Sequence, residues 1–562
     1  MPEYYLEKYP EQDTVLAYKK DHKWNKISIQ EYIEAINNVS YGLLALGVRN
    51  GDKIGIVSAN RPEWNMVDFG AMQIGAVSVP IYPTISYDDY KHILNHSEVK
   101  VIFLDGKDLK TRFEPVLPIV ETLEDIFVFD NDNSTYKKFS GLLELGKNNP
   151  QPEKLSQIKA EIQPSDLATI IYTSGTTGVQ KGVMLSHSNL VNQILSLHHT
   201  PAKWSKTALS FLPLCHAYER MMVYLYQYLG MSVYYAESLG TIAENIKEVH
   251  PTMMTCVPRL LEKIYDKLYL SGKNLSFIQK NIYYWAFNLA KRYQLEGMNS
   301  VDKFQLKIAD KLIYSKWRAA IGGNFDIVVS GGSAIPSHIA SFFSAIGMPV
   351  FEGYGLSETS PVIAVSQRGK NGRKFGTVGP ALPGVEIMLD ERDEILCRGH
   401  NVMLGYYRDP ELTAQVIDKD GWFHTGDTGR FTPEGQLIIT GRLKSIFKTS
   451  FGKYVNPQAI EEKFTESPFI ENMFVVGENK KFAAALISPD FIYLRSWCKK
   501  HKINETYIPD DELLKLQEVK KKYSEEVKKY NRNFGDYEQI KKYELIPDTW
   551  TPESGFLSQP LK

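Results

Sequence analysis

Short apolar runs and amphipathic stretches alternate between residues 30 and 260 of the chain. Residues 54–57, 101–104 and 126–129 are apolar runs of strand length, whereas residues 30–46 carry apolar side chains at helical spacing. Parallel strands are joined by crossovers that are usually helical. The alternation therefore predicts a mostly parallel sheet that is covered by helices on both faces.

The second half of the chain departs from this alternation. Residues 274–318 predict two long helices of basic and aromatic character. Residues 376–440 contain short strands separated by Pro-Gly, Asp-Gly and Glu-Gly turns, which is typical of a small β-rich subdomain. From residue 442 a second, lysine-rich α/β pattern follows. Its charged stretch at residues 510–530 is interpreted as a helix whose charges form a solvated face.

A chain of 562 residues is long enough for more than one hydrophobic core. The change of texture predicts an N-terminal domain at residues 1–441, with the β-rich subdomain at about residues 376–440. It also predicts a small C-terminal domain at residues 442–562.

Composition narrows the class of protein. Hydrophobic residues make up 43% and charged residues 23% of the chain, as in ordinary globular proteins, and the net charge is -1. A nearly neutral chain has no global attraction to nucleic acid, so we expect no nucleic-acid partner. The four cysteines lack metal-ligand spacing and the first residues lack a signal-peptide pattern, which favours a cytoplasmic protein. The most apolar stretch, residues 221–236, is too short to span a bilayer.

The most informative motif is the run YTSGTTGVQKG at residues 172–182. It follows the apolar run at residues 167–171, so we expect a buried strand that leads into a loop of small residues. Small side chains allow backbone N–H groups to approach an anion, and the hydroxyls and Lys181 add donors and positive charge. The order Lys-Gly differs from that of a Walker loop. The motif predicts a phosphate-binding loop, with a flexible linker as the alternative.

Three further motifs fit a nucleotide. In FEGYGLSET, residues 351–359, the ring of Tyr354 can lie along a base, and Glu358 suits a hard cation such as Mg²⁺. The aspartate that ends GWFHTGD, residues 421–427, follows a tight turn and suits ribose hydroxyls. The run GRLKSIFK, residues 441–448, is a basic strip at the predicted domain junction. Taken singly, each motif is also compatible with a turn or a surface ion pair.

Taken together and in this order, the motifs closely resemble the adenylate-forming superfamily of acyl-CoA synthetases, luciferases and related enzymes, over nearly the whole chain. The runs FLPLCHAYER at residues 211–220, VPRLLEKIY at residues 257–265 and NVMLGYY at residues 401–407 resemble the long-chain fatty acyl-CoA synthetase branch. The resemblance implies an α/β fold with a large N-terminal domain of stacked doubly wound sheets plus the β-rich subdomain. It also implies a small, mobile α+β C-terminal domain.

The resemblance further implies a two-step ligase reaction with ATP and coenzyme A as co-substrates and Mg²⁺ as cofactor. A long-chain fatty acid attacks the α-phosphate of ATP to give an acyl-adenylate and pyrophosphate, and coenzyme A then displaces AMP. Such chemistry depends on charge neutralisation. Because the substrate is a lipid, we also expect that peripheral contact with a membrane is possible. Residues 274–318 are the candidate surface, and a plain packed helix pair is the alternative.

The resemblance assigns roles to individual residues of the N-terminal domain. The phosphates would be cradled by Thr173, Ser174, Gly175, Thr176, Thr177, Gly178 and Lys181. The adenine pocket would contain Gly332, Glu352, Gly353 and Tyr354, with Ser357 beside them in the ATP site. Thr173 and Glu358 would flank Mg²⁺, and Asp427 and Arg442 would hold the ribose. His216 matches a position that opens onto the acyl site, with a packed core histidine as the alternative.

Three lysines are assigned to the C-terminal domain. Lys444 matches the hinge about which that domain rotates between the half-reactions, and Lys448 matches a lysine that faces the site in the second orientation. Lys562 matches the catalytic lysine that bonds the carboxylate and the α-phosphate in the first orientation. Its surroundings, GFLSQPLK at residues 555–562, depart from the family pattern Gly-x-Leu-Thr-Pro-Thr-Leu-Lys in the place of the proline. The loop backbone is then restricted differently, which leaves the competence of Lys562 open.

Two other functions are compatible with these motifs. In the first alternative, the chain would adenylate a different carboxylic acid, or would pass its acyl group to a carrier protein instead of coenzyme A. Alternatively, it binds nucleotide or acyl-adenylate without turnover because its C-terminal lysine loop is not competent. The runs shared with the long-chain branch favour the fatty acid ligase.

Overall fold

The computed structural model describes residues 2–106, 113–129, 136–174, 179–450, 453–503, 508–548 and 550. The chain divides into two compact units. The first contains residues 1–387 and 397–423, and the second contains residues 388–396 and 424–562. The domain boundary expected between residues 441 and 442 stays a prediction.

The strands of the described residues are β1 (Leu16–Lys20), β2 (Lys23–Ile27), β3 (Lys53–Val57), β4 (Val77–Pro80), β5 (Val99–Leu104), β6 (Asp125–Val128), β7 (Lys137–Lys138), β8 (Leu167–Ser174), β9 (Gln180–Ser186), β10 (Thr207–Ser210), β11 (Ser232–Tyr235), β12 (Met253–Cys256), β13 (Ile327–Ser330), β14 (Val350–Tyr354), β15 (Ala364–Val365), β16 (Val385–Leu389), β17 (Glu394–Gly399), β18 (Gly405–Tyr406), β19 (Phe423–Phe431), β20 (Leu437–Arg442), β21 (Phe447–Lys448), β22 (Tyr454–Val455), β23 (Ile470–Val476), β24 (Ala484–Pro489) and β25 (Lys542–Leu545).

The α-helices of the described residues are α1 (Pro2–Lys8), α2 (Ile29–Ala45), α3 (Pro62–Met72), α4 (Tyr87–Ser97), α5 (Phe139–Asn148), α6 (Pro152–Glu161), α7 (His187–Leu197), α8 (Ala217–Tyr228), α9 (Ile242–Val249), α10 (Pro258–Ser271), α11 (Phe277–Lys291), α12 (Ser300–Ala309), α13 (Ser315–Ala320), α14 (Ser337–Ala345), α15 (Pro410–Val416), α16 (Pro457–Phe464), α17 (Phe491–Lys500), α18 (Asp510–Leu513) and α19 (Gln517–Asn531).

In the first unit, the described strands build two mostly parallel sheets. Sheet A has the strand order β15-β14-β13-β12-β10-β11-β1-β2, and sheet B has the order β18-β9-β8-β4-β3-β5-β6-β7. The inner pairs of sheet A are parallel, and its antiparallel pairs, β1 with β2 and β14 with β15, stand at the two edges. In sheet B the antiparallel pairs, β8 with β9 and β9 with β18, stand at one end. The predicted α/β class with parallel sheets is confirmed.

Local signals in the sequence explain where these elements begin. Helix α2 starts after Ser28, whose hydroxyl accepts a hydrogen bond from the backbone of Glu31, while the Glu31 carboxylate accepts one from the backbone of Ser28. This reciprocal cap satisfies donors that a helix leaves unpaired. The helix predicted at residues 30–46 and the strands predicted at residues 54–57, 101–104 and 126–129 are present as α2, β3, β5 and β6.

A buried guanidinium connects α8, α3 and β8. Arg220 of α8 is 1% exposed, and its Nε lies 3.1 Å from the Oδ2 of Asp68 on α3. Its Nη1 donates to the hydroxyl of Thr169 on β8 at 2.7 Å, and the hydroxyl of Tyr224 also hydrogen-bonds to Asp68. Because a charge in the core must stay paired, this cluster couples the positions of three elements.

Residues 274–318 contain the two predicted helical stretches. The first is α11, and the second runs through α12, a π-helical turn at Asp310–Tyr314 and α13. The ring of Tyr283 on α11 packs edge-on against Trp317 on α13 at 5.0 Å, and the Tyr314 hydroxyl donates to the carbonyl of Ala286. The stretches are thus packed against one another.

In the second unit, the described residues include a three-stranded sheet of order β23-β24-β25, with α16, α17 and α19 contributing to its core. The solvated helix face predicted at residues 510–530 is present, since Lys520, Lys521 and Lys528 are exposed, but the prediction of one continuous helix is wrong. The chain leaves the helical conformation at Leu516, between α18 and α19. The face of α19 that carries Val519, Tyr523 and Val527 is buried, because these apolar side chains recur at helical spacing and complete the core.

The β-rich segment is a four-stranded sheet of order β16-β17-β19-β20 among the described residues. The divisions between the two units fall within β16, β17 and β19. In the part of the chain that the structure describes, no helix combines the length and the apolar character needed to cross a membrane. The apolar stretch at residues 221–236 is occupied by buried residues of α8 and by β11, as a core segment would be.

Candidate active site

The predicted adenine and acyl residues follow neighbouring strands of sheet A. Gly332 comes two residues after β13, Glu352, Gly353 and Tyr354 end β14, and His216 lies six residues beyond β10. Strands β10, β12, β13 and β14 are adjacent and parallel. Their carboxyl ends therefore lie at one edge of the sheet, which is where open α/β sheets bind ligands.

His216 is held at this edge by residues that follow strands of sheet B. Its ring lies 5.5 Å from that of Tyr82, which comes after β4. The Asn60 amide, after β3, donates to the carbonyl of Leu212 at 2.7 Å and accepts from the N–H of Leu214 at 3.0 Å. These two hydrogen bonds fix the segment that carries His216 into α8. The structure therefore brings His216 to a place where the carboxyl ends of strands from both sheets converge.

Gly332 has a φ of +83°, in the region that glycine adopts without strain. Its neighbour Gly331 allows a close approach by Tyr218, since a Cβ at position 331 would lie 3.1 Å from the Tyr218 ring. The Tyr218 hydroxyl donates to the carbonyl of Val329 at 3.0 Å. Tyr218 thus supports the turn that carries Gly332. It lies in the run FLPLCHAYER, but nothing in the sequence identified this contact.

Glu352 is buried, and its carboxyl group accepts a hydrogen bond from the backbone of Gly376. Burial raises the pKa of Glu352 to about 8, against the opposing influence of that hydrogen bond and of Arg373. The Arg373 guanidinium lies 4.9 Å from the centre of the Phe351 ring. Near neutral pH the Glu352 carboxyl group therefore holds its proton and can donate a hydrogen bond.

Strands β8 and β9 flank the predicted phosphate segment and form an antiparallel pair, here called the phosphate hairpin. Strand β8 leads into the segment and β9 leads out, with Thr173 opposite Lys181 and Ser174 opposite Gln180 in the register. The expected strand before the loop is confirmed. Unlike a Walker loop, this segment returns into a strand, so a helix N-terminus does not follow it. The predicted phosphate residues Gly175, Thr176, Thr177 and Gly178 lie outside the described residues.

Tyr406 joins the predicted phosphate lysine to the predicted metal carboxylate. The ammonium of Lys181 lies 5.4 Å from the centre of the Tyr406 ring, and the Tyr406 hydroxyl donates to Glu358 Oε1 at 3.0 Å. Burial and the neighbouring Glu358 charge raise the pKa of Tyr406, which keeps its proton available for this bond. Tyr406 belongs to the run NVMLGYY, but its role was missed because the partners are distant in sequence.

Backbone contacts hold Glu358 and Ser357 in place. Both lie in the single 3-10 turn Ser357–Thr359, and the Glu358 carbonyl accepts a hydrogen bond from the N–H of Met403 at 2.9 Å. Tyr406 of β18 pairs with Val183 of β9. The turn, β18 and β9 are therefore connected by backbone hydrogen bonds around the Lys181 side of the site.

The donor set around Glu358 fits Mg²⁺ in one particular way. Among the described residues, no group of three or more His, Cys, Asp and Glu side chains is arranged to hold a metal ion. Mg²⁺ commonly takes one or two carboxylates and completes its shell with water and substrate phosphate oxygens. The Glu358 carboxylate and the Thr173 hydroxyl are hard oxygen ligands of the type that Mg²⁺ takes. A protein-only metal cage is not needed.

The second unit places the predicted ribose residues together. Asp427 and Arg442 are register partners on β19 and β20, and Arg442 Nε lies 3.0 Å from Asp427 Oδ1. Asp427 is buried, whereas Arg442 is half-exposed. Lys444 lies in the 3-10 turn Leu443–Ser445 that follows β20. Such a pair offers an acceptor and donors to a diol.

The other two lysines assigned to the C-terminal domain are Lys448 and Lys562. Lys448 is exposed on β21, and its ammonium lies 5.5 Å from the centre of the Tyr454 ring on β22. The predicted catalytic residue Lys562 lies outside the described residues. The roles of both lysines stay predictions.

Comparison with known proteins identifies the class. The family model for AMP-binding enzymes matches residues 3–407, and the model for the C-terminal domain of AMP-binding enzymes matches residues 445–554. The chain belongs to the AMP-binding enzyme family. The predicted membership of the adenylate-forming superfamily is confirmed, and with it the class of AMP-forming ligases.

Two similar proteins belong to the fatty acyl-CoA synthetase branch of this family. Fatty acyl-CoA synthetase A of Dictyostelium discoideum is 34% identical over 500 residues, covering 84% of this chain and 72% of that protein. Long-chain-fatty-acid–CoA ligase FadD15 of Mycobacterium bovis is 32% identical over 553 residues, covering 96% and 90%. The crystal structure of the anthranilate CoA ligase AuaEII with anthranoyl-AMP matches with a TM-score of 0.71 at 18% identity, covering 97% and 93%. This last match shows the shared fold.

The raised pKa of Glu352 predicts a pH dependence of stability. The folded protein holds this proton until about pH 8, whereas the unfolded chain releases it near the ordinary value of 4.5. Between these values the folded state binds more protons, so the free energy of unfolding should fall as the pH rises. Glu352→Gln removes the titratable carboxyl group. As the pH rises, the free energy of unfolding of the wild-type protein should therefore fall relative to that of this variant, by up to about 1.4 kcal/mol per pH unit.

The measurement is urea unfolding of both proteins at several pH values across this window. The exposed residue Glu391 supplies the control, because Glu391→Gln should track the wild-type protein at every pH. A constant difference between wild type and Glu352→Gln from acid to alkaline pH would contradict the prediction.

Proposed function

We propose that the protein is a long-chain fatty acid–CoA ligase that forms AMP. In the first step a carboxylate oxygen bonds to the α-phosphorus of ATP and the bond to the β-phosphate oxygen breaks, so pyrophosphate leaves. In the second step the sulfur of coenzyme A bonds to the acyl carbon, the bond to AMP breaks and the thiol proton is released. The observation that carries the proposal is the Lys181–Tyr406–Glu358 connection beside the phosphate hairpin. The sequence similarity to the two named fatty acyl-CoA ligases supports the choice of substrate.

The first step requires that negative charge be neutralised on the phosphates. Lys181 and Thr173, opposite each other on β9 and β8, bind the phosphate oxygens, and Tyr406 orients both Lys181 and Glu358. Glu358 and Thr173 would hold Mg²⁺, whose charge would lower the repulsion between the carboxylate and the phosphates. Preorganised charges of this kind are commonly the largest contribution to catalysis.

The nucleoside and acyl groups bind at the carboxyl edge of sheet A. Gly353 and Tyr354 flank the adenine, and Glu352 donates a hydrogen bond from its protonated carboxyl group. Asp427 accepts from the ribose hydroxyls and Arg442 orients Asp427. His216, between Tyr82 and the start of α8, faces the acyl carboxylate.

The second step uses the C-terminal domain, which we place at residues 442–562. Lys444 acts as the hinge and Lys448 faces the site when coenzyme A attacks. Lys562 serves the first step, because its ammonium neutralises both the attacking carboxylate and the α-phosphate. The assignment rests on the family motif, and on the exposed position of Lys448.

The test of the proposed function is release of pyrophosphate from oleate and ATP, with and without coenzyme A. We expect release with Mg²⁺ and formation of oleoyl-CoA only when coenzyme A is present. Glu358→Gln should lower the rate of adenylation by about two to three orders of magnitude, as the loss of one electrostatic group does in other enzymes. Glu391→Gln, an exposed carboxylate elsewhere, is the matched control.

Each alternative function has its own outcome in this assay. Faster release with an aromatic acid than with oleate would assign a different carboxylic acid substrate. Release without transfer to coenzyme A would indicate a carrier protein as acceptor. Bound but unconverted ATP and oleate would indicate a protein that binds without turnover.

A second prediction separates the two half-reactions. Lys562→Ala should depress release of pyrophosphate, whereas thioester formation from supplied oleoyl-AMP should persist, because that step has no attack on the α-phosphate to stabilise. Lys541→Ala, which removes an exposed lysine of the second unit, is the control for nonspecific loss of charge. Equal loss of both half-reactions would contradict a role limited to adenylation.

We further propose that the enzyme works in the cytoplasm. It contacts a membrane surface through one face of the helical stretch that α12 and the following π-helical turn form. Val301, Phe304, Ile308 and Leu312 recur every three or four residues, so they share a face of the helical stretch. All four side chains are exposed, Phe304 at 65%. An exposed apolar stripe of this length is unusual on a monomer and marks an interaction surface.

The charges beside this stripe favour an anionic lipid surface over a second copy of the chain. Lys303, Lys307 and Lys311 recur every four residues next to the apolar positions and are exposed. The acidic residues of this stretch, Asp302 and Asp310, are engaged by Asn299 and Arg318. A symmetric dimer would place the stripe against itself, with lysines facing lysines. Anionic headgroups complement the lysines, and each is worth about 1 kcal/mol near such a surface.

The prediction is that the protein sediments with vesicles of phosphatidylcholine and phosphatidylglycerol, and less with phosphatidylcholine alone. The double variant Phe304→Ser, Ile308→Ser should bind the anionic vesicles at least about tenfold more weakly, because two apolar side chains no longer enter the interface. Ile492→Ser, which removes a 77% exposed side chain of α17, is the matched control. Unchanged vesicle binding, or a change of oligomeric state in its place, would contradict the lipid assignment.

A further inference from the structure

Two histidines of α4 contact both strands of the phosphate hairpin. His92 Nε2 lies 2.9 Å from the carbonyl oxygen of Gln180, the first residue of β9. His96 Nδ1, one turn later, lies 2.8 Å from the hydroxyl of Tyr172 on β8. Because a carbonyl only accepts, His92 donates from Nε2. One helix thus holds the residue before Lys181 and the residue before Thr173.

The rings of this cluster pack closely. The His92 and His96 rings are stacked at 5.2 Å with an angle of 19°, and Tyr172 meets each edge-on. His96 also meets the Tyr407 ring edge-on at 5.6 Å. Gly182, opposite Tyr172 in the register, packs closely here, since a Cβ would lie 2.8 Å from Ile170 and 3.2 Å from the Tyr172 ring. The contacts leave the two strands little freedom to move relative to α4.

The surroundings of His96 favour its neutral imidazole. Burial, with the nearby His92 and Arg408, lowers the pKa of His96, against the opposing influence of Asp409 and Glu98. Burial also raises the pKa of Tyr172, so its hydroxyl keeps the proton. Arg408 is itself paired with Glu98 at 2.7 Å. The hydrogen bond between His96 and Tyr172 is therefore made between neutral groups, whereas His92 uses its Nε2–H on the carbonyl of Gln180.

We propose that His92 and His96 are positioning residues for ATP, which set the placement of Lys181 and Thr173 without contacting the nucleotide. The inference rests on the proposed function, because it assigns the hairpin to the phosphates. Each strand is held at the position next to a proposed phosphate ligand. Loss of either hydrogen bond allows that strand to shift, and a shift of the ligand weakens binding to ATP in particular.

The test compares leucine variants with variants that keep one hydrogen-bonding atom. His92→Leu and His96→Leu should each raise KM for ATP by about three- to tenfold, the scale of one hydrogen bond, and leave KM for oleate and coenzyme A near the wild-type values. His92→Gln retains a donor in the place of Nε2, and His96→Asn retains a polar nitrogen in the place of Nδ1. Both should recover most of the affinity for ATP.

The control removes a comparable contact elsewhere. His250 Nδ1 lies 2.8 Å from the carbonyl of Gly322, away from the phosphate strands, so His250→Leu measures a structural loss alone. An unchanged KM for ATP in both leucine variants would overturn the inference. So would a fall in activity that Gln and Asn fail to recover, or one that His250→Leu reproduces. If the wild-type protein releases no pyrophosphate, the proposed function fails instead, independently of the histidines.

Discussion

The buried charge of Arg220 is the constraint on which the arrangement of the first unit depends. A guanidinium that is 1% exposed has lost its water, and its partners Asp68, Tyr224 and Thr169 replace that solvation. Removing one partner from a buried ion pair commonly costs about 3–5 kcal/mol, because the remaining charge is left uncompensated. The elements α8, α3 and β8 therefore cannot shift separately. Two of them lead directly into the site: α8 starts after His216, and β8 reaches Thr173 four residues beyond Thr169.

Tyr406 connects two residues of the proposed active site, as Arg220 connects elements of the core. Its ring lies beneath the Lys181 ammonium, and its hydroxyl bonds to the Glu358 carboxylate. A cation over an aromatic ring is worth about 0.5–2 kcal/mol, and a hydrogen bond to a charged group about 1.5–3 kcal/mol. Neither is large, but together they hold two opposite charges apart at defined positions. A direct ion pair between Lys181 and Glu358 would neutralise both groups, whereas the proposed function requires each charge to be available to a ligand.

The features that could be predicted are local patterns in the sequence, whereas the contacts that were missed join residues far apart along the chain. The strand before the phosphate loop, the motif around Glu358 and the helices at residues 274–318 were all predicted, because each is a pattern within about 45 residues or fewer. The contact between Tyr406 and Glu358 joins residues 48 positions apart, and that between His96 and Tyr172 joins residues 76 apart. No local periodicity reports such pairs. The break between α18 and α19 was missed as well, because no glycine or proline marks it in the sequence.

The sequence by itself determined the class of fold, because apolar periodicity reflects local backbone preferences. The order of its motifs indicated the reaction only through their resemblance to the adenylate-forming superfamily. Only the tertiary structure decided how these parts meet. It placed β10, β12, β13 and β14 side by side so that their carboxyl ends share one edge, and it set α4 against the phosphate hairpin. It also buried Glu352 deeply enough to raise the pKa of that carboxyl group to about 8. Desolvation and contacts between distant elements exist only after the chain has folded, so no stretch of the sequence records them.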